Sequence, residues 1–104
     1  MLVVKPKRVF DKKMDLKLKA FSNEIRRLLL GLIFTNGPIY HSEIMKHIQM
    51  DSNRLAYHLN MLYAADLIDR SYGRDGKKYS KYWLKKDGEK FLEFIGAKEE
   101  LKKI

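Results

Sequence analysis

The sequence of 104 residues contains no cysteine. A disulfide framework, a thiolate metal site and a cysteine nucleophile are therefore excluded. Long apolar runs are missing too. The longest, Leu28 to Phe34, has seven residues counting Gly31, whereas a bilayer-spanning helix needs about 20. Residues 1–10 place lysines among their apolar side chains and lack a small-residue cleavage site, which argues against a secretory signal. There are only two prolines, one glutamine (Gln49), no repeat and no low-complexity segment. The chain is long enough for one small domain. Its apolar fraction of 45% supports a packed core, and 34% charged residues is high without being the composition of a disordered chain. The expectation is a soluble, cytoplasmic protein.

Charge is what the sequence has in excess. Twenty-two Lys/Arg against thirteen Asp/Glu give a net charge of +9. Residues 1–30 carry a net +6, residues 31–69 a net −2, residues 70–90 a net +5, and the remainder is neutral. Two basic blocks flanking a near-neutral middle suit a polyanion, nucleic acid first and an acidic membrane surface second. Lysine-rich surfaces also occur in heat-adapted proteins, so charge alone leaves both origins open.

The apolar spacing divides the chain. A basic arm covers residues 1–10. A first helix is expected from Asp11 to Ala20, and a second after Ser22 as N-cap, with Ile25, Leu28, Leu29, Leu32 and Ile33 as its buried stripe. Asn36-Gly37-Pro38 stops it. Ile39-Tyr40 allows only a stub of strand. A short helix follows from His41 to about Ile48, with Ser42 as candidate cap and Ile44 and Ile48 inward. Asp51 or Ser52 caps the next helix, which runs to about Ala65 with Leu55, Leu59 and Leu62 on one face. Two short helices joined by a few polar residues make a helix-turn-helix candidate. Period-two patterning in 67–72 and 79–84, around the turn Gly73-Arg74-Asp75-Gly76, predicts a hairpin with a basic tip. Asp87-Gly88-Glu89 then opens a closing helix. The fold expected is mainly α with a small β-hairpin (α+β): a winged helix-turn-helix over 11–85, with residues 86–104 as a dimerisation helix.

These segments resemble the ArsR-type winged-helix regulators. Phe21-Ser22-Asn23-Glu24-Ile25-Arg26-Arg27-Leu28-Leu29-Leu30 is similar to their Leu-Ser-(Asn/Asp)-x-x-Arg-x-x-(Ile/Leu)-Leu opening. Gly37-Pro38-Ile39 with Ser42-Glu43-Ile44 resembles the turn into their next helix. Residues 55–62 and then Ala65-Asp66-Leu67-Ile68 resemble their recognition helix and first wing strand. Tyr82-Trp83-Leu84 leading into 87–92 looks like the second wing strand and closing helix of many archaeal winged-helix proteins. The likeness covers about residues 20–95. It implies a DNA-binding transcriptional regulator, usually a homodimer. With no cysteine, and no histidine after His58, the family's metal-sensing role is not carried over.

With the three leucines inward, the recognition helix would turn Asn53, Arg54, Tyr57, Asn60 and Met61 outward, with Ser52 at its start and His58 on a flank. Asn can pair with adenine, Arg with guanine, and Tyr or Met can touch a thymine methyl in the major groove. Arg70, Arg74, Lys77, Lys78 and Lys81 would bring wing cations to phosphates, where counterion release supplies affinity. Those lysines also suit an edge strand that resists aggregation. His41 and Ser42 could hold a phosphate. Phe94, Ala97, Leu101 and Ile104 form a heptad-like seam which, with Leu18 and Phe21, predicts a dimer interface.

Catalysis finds little support. Glu43 and His47 share a helix but are only two ligands, so no metal is expected. Ser22, Ser42 and Ser52 are explained as caps. Gly73-Arg74-Asp75-Gly76 joins strands rather than the helices that a KH-domain loop joins. No cofactor, small-molecule substrate or membrane partner is implied. The expected partners are double-stranded DNA and a second copy. Sequence-independent architectural DNA binding and a protein-interaction role for the same fold remain open alternatives.

Overall fold

The computed structural model describes residues 12–71 and 81–101. Helix α1 (Lys12–Phe21) leads to α2 (Glu24–Asn36), strand β1 (Ile39–Tyr40), α3 (His41–His47), α4 (Ser52–Ala64), strands β2 (Ile68–Ser71) and β3 (Lys81–Leu84), α5 (Lys86–Phe94) and α6 (Lys98–Leu101). The expected arm at 1–10, the wing residues Arg74, Lys77 and Lys78, and Ile104 lie outside the described residues.

Polar groups set several boundaries. Asn23, rather than Ser22, caps α2: its side chain accepts the Arg26 backbone N–H at 3.1 Å, while the Ser22 hydroxyl donates back to the Lys19 carbonyl. Tyr40, rather than Ser42, precedes α3, and the Glu43 carboxylate accepts the Tyr40 backbone N–H at 3.3 Å. Asp51 caps α4 by accepting the Asn53 N–H. The Ile39-Tyr40 stub becomes a strand because it has a partner. The antiparallel sheet has the order β1-β3-β2, pairing Ile39 with Tyr82, Tyr40 with Lys81, and Ile68 with Leu84.

The core sits where α2, α4, the sheet and α5 converge. Leu29, Leu30, Ile33, Ile44, Leu55, Leu59, Leu62, Leu67, Ile68 and Leu92 are fully buried, and Tyr82 nearly so. The buried stripe of α2 is Arg26, Leu29, Leu30 and Ile33, turned from the expected one; Leu28 is 43% exposed. In α5, Gly88 lies against the Leu67 backbone carbonyl, which also accepts the Lys85 N–H at 3.1 Å.

The closing helix is not continuous. Gly96, at φ 71°, ends α5 in a Schellman turn: its N–H donates to the Glu93 carbonyl, and the Ala97 N–H to that of Leu92. Helix α6 then packs on α2, and Lys98 Nζ lies 2.9 Å from a carboxylate oxygen of Glu89 and of Glu93. Those hydrogen bonds, Glu89 first, raise the Lys98 pKa. Phe94 therefore ends one helix, while Ala97 and Leu101 lie beyond the left-handed glycine, so the three do not share a continuous helix.

Candidate nucleic-acid interface

Helix α4 is held by one face and open on the other. Its leucines 55, 59 and 62 have no exposed surface, which fixes the rotation of the helix. Asn53, Arg54, Tyr57 and Asn60 are exposed, Tyr57 at 56%. Ser52 and Met61 are half-buried at the edges of this face.

A run of contacts joins its N-terminus to the sheet. Ser52 Oγ lies 3.5 Å from His41 Nε2. The neighbouring Tyr40 ring stands 5.2 Å from Lys81 Nζ. Ser42 is exposed one residue beyond His41. His41 and Ser52 are thus in contact, while Ser42 follows His41 in sequence and Lys81 pairs with the preceding Tyr40.

Two expected members are placed elsewhere. His58 is buried, with its Nδ1 3.2 Å from Arg26 Nη1. Arginine has no acceptor and does not deprotonate, so Nδ1 carries the lone pair and Nε2 the hydrogen. Burial first, then Arg26, then Arg54 lower the His58 pKa from its ordinary 6.5. Since the folded value lies below the unfolded one, the stability His58 contributes is present above about pH 6.5 and is lost as pH falls through the folded value. We expect denaturant midpoints of the chain to drop on acidification through this window, and to drop less in His58→Asn.

Arg70 also departs from its expected role as a free wing cation. Its Nη1 donates to Asn60 Oδ1 at 2.6 Å, and its guanidinium stands 4.0 Å from the Tyr63 ring centroid. Strand β2 runs beside α4, so the side chain folds onto that helix and takes the carbonyl oxygen of Asn60.

Arg26 is the arginine of the resembled opening pattern, to which no site role is assigned from the sequence. Its buried guanidinium donates from Nε to the Ala20 carbonyl at 2.8 Å, from Nη2 to that of Lys19 at 3.4 Å, and from Nη1 to His58. It satisfies the end of α1 and joins α1, α2 and α4. The available signal was its phase, three, four and seven residues before Leu29, Leu30 and Ile33.

The proposed dimer residues divide as well. Phe94 is 61% exposed and Leu18 38%. Phe21 is half-buried and stacks edge-on against Phe91 at 5.9 Å, which makes it a core contact rather than an open surface. Ala97 is half-buried against the core. A groove of about 400 Å³ between α1 and α5 has Met14, Phe91 and Phe94 in its lining, with Lys13, Lys17 and Lys90 around them.

Among the described residues, no three His, Asp or Glu side chains are grouped to hold a metal ion. No helix among them is long and apolar enough to cross a membrane.

No protein-family model and no curated protein matches the chain. Solved structures do. HlyU from Vibrio cholerae is 20% identical, with a TM-score of 0.65 over 80% of this chain and 87% of that one. A MarR-family transcriptional regulator from Enterococcus faecalis is 16% identical, with a TM-score of 0.68 over 88% and 86%. An ArsR-like transcriptional regulator from a Rhodococcus species is 22% identical, with a TM-score of 0.61 over 85% and 81%. The strands, the helix pair and the flanking helices described above are those of one architecture: the chain has a winged helix-turn-helix fold, which it shares with these three proteins.

Proposed function

We propose that this protein is a homodimeric transcriptional regulator that binds double-stranded DNA. Helix α4 enters the major groove, and the basic hairpin lies on the backbone or in the minor groove. The observation that carries this reading is the open face of α4: three fully buried leucines aim Asn53, Arg54 and Tyr57 outward. A B-form major groove admits such a helix and displays a readable donor and acceptor pattern. His41, Ser42, Ser52 and Lys81 would meet phosphates beside that groove; the contact between Ser52 and His41 supports this part of the reading. Arg74, Lys77 and Lys78, which lie between β2 and β3 in sequence, would add cations to the same contact. His58 and Arg70 drop out of the contact set, being committed to Arg26 and to Asn60 and Tyr63.

A second copy would pack through α1 and α5, where Leu18 and Phe94 are exposed. Two copies would present two α4 helices to half-sites about one helical turn apart. Phe94→Glu should yield monomers in sedimentation and weaken binding to a palindromic duplex far more than to a half-site. An unchanged sedimentation coefficient would remove Phe94 from the interface.

Selection of duplexes from a random pool at near-physiological salt tests the whole reading. A regulator recovers a motif, an architectural protein recovers arbitrary sequences, and a protein-interaction module recovers none. Within a recovered motif, Arg54→Ala should cost about 1–3 kcal/mol and relax preference at one position. Lys77→Gln with Lys78→Gln should weaken all sequences alike and reduce the slope of log affinity against log salt by about 2. An unchanged slope in the double variant would remove the hairpin from the interface.

A further inference from the structure

The Arg26–His58 contact lies beneath the face assigned to DNA, in the only described place where a buried histidine meets a permanent cation. We infer that this contact is a proton-sensitive link that positions α4, so that acidification weakens DNA binding by releasing the helix from α1 and α2. The inference rests on the DNA-binding reading above for its last step alone.

Arg26 is immobilised from two sides. Its other donors hold the Ala20 and Lys19 carbonyls at the end of α1, so it cannot turn from the imidazole without leaving those acceptors. His58 is correspondingly restricted to one tautomer, with a lone pair at Nδ1. A proton added there would place an N–H against an N–H across 3.2 Å and set two cations in contact in a buried site. The neighbours offer no relief. Arg26 comes from α2, and Arg54 on α4 itself also opposes the charge. Tyr57, on α4, meets the imidazole edge-on at 5.3 Å with its ring. Helix α1, packed on α4, carries Lys17 as its buried charge. The charged groups of β2 are engaged with other partners: Arg70 holds Asn60, and Asp69 accepts the Arg70 backbone N–H. Among the described residues, no carboxylate is among the groups acting on His58. Burial and the two arginines accordingly hold its pKa below the ordinary value.

The link reaches the reading face directly. Tyr57, whose ring touches the imidazole, is exposed on the outward side of α4, and Arg54 stands one turn before His58. His58 is thus a positioning residue rather than a DNA contact. Its signature is a sign. Protonating a protein ordinarily strengthens its hold on a polyanion. Protonation of His58 acts against it.

The test uses the full chain and a fluorescein-labelled mixed-sequence duplex at fixed salt. Between about pH 7.5 and about pH 5 the affinity of the wild-type protein should fall about twofold or more, and the fall should steepen towards the acid end, where a histidine with a lowered pKa takes up its proton. His58→Asn puts an amide oxygen near the Nδ1 position, an acceptor for Arg26 at every pH. Its affinity should match wild type at the higher pH and stay level or rise on acidification. Parallel pH profiles for the two proteins would overturn the inference. Nitrogen-15 NMR without DNA judges the link independently, even if His58→Asn does not fold. The Nε2–H tautomer is expected at neutral pH, and backbone amides of α4 should shift with the His58 titration. An ordinary His58 midpoint with unmoved α4 amides would overturn it. If no duplex binds at any pH, the DNA-binding reading and the final step of this inference fail together, while the NMR titration still decides whether the contact responds to protons.

Discussion

Gly88→Ala is expected to destabilise the protein by about 3 kcal/mol or more, at the top of the usual range for overpacking. On an exposed helix the same change would stabilise by up to about 1 kcal/mol, because alanine is the better helix former. Here the added methyl would be driven into the backbone carbonyl of Leu67, where no rotamer change can make room. The carbonyl cannot withdraw cheaply. It accepts the Lys85 N–H and follows Asp66, already held at φ 59°. Relief requires α5 to move off the sheet, carrying Phe91 and Leu92 out of the core. Denaturant unfolding provides the measurement, and melting should fall by about 4–8 °C per kcal/mol in a domain of this size. A gain in stability would show that α5 does not approach β2 as closely as described.

Arg26→Ala is expected to cost about 3 kcal/mol. One substitution strips donors from two carbonyls at the end of α1 and from His58 Nδ1, and hydrogen bonds to a charged group are each worth about 1.5–3 kcal/mol. The contributions are not additive, since α1 can fray once released. Arg26→Lys should recover less than half of the loss, because an ammonium on a flexible stem does not reproduce the fork that spans three acceptors. Urea midpoints of the three proteins decide the matter. A cost below about 1 kcal/mol for alanine would mean that the guanidinium is not the tie between α1, α2 and α4. The His58 midpoint gives a second readout: it should move up towards its ordinary value once one of its two neighbouring arginines is gone.

Much of the architecture was legible because it depends on local periodicity. Leucines at 55, 59 and 62 define one helical face whatever surrounds them, and the structure buries those three completely. Asn36-Gly37-Pro38 had to end α2, and the period-two segments pair as antiparallel strands. The outward positions Asn53, Arg54 and Tyr57 followed from the same arithmetic. The failures share a cause. In α2 the run Leu28-Leu29-Leu30 offers two apolar stripes, and periodicity cannot choose between them. His58 sat at the border of an inside and an outside face, where its burial depended on a partner 32 residues away in sequence. The Phe94-Ala97-Leu101 spacing is helical in number but crosses Gly96, whose left-handed turn ends the helix.

By itself, then, the chain's pattern of apolar and charged residues determined which segments are helices or strands, their order, and the face of α4 that remains open, since each follows from interactions within a few residues. Only the tertiary structure decided that Arg26 turns inward to His58, that Arg70 folds onto Asn60 and Tyr63, and that α6 returns to α2. Those outcomes depend on whether a polar group finds a partner distant in sequence once water is removed, and spacing along the chain carries no record of that partner.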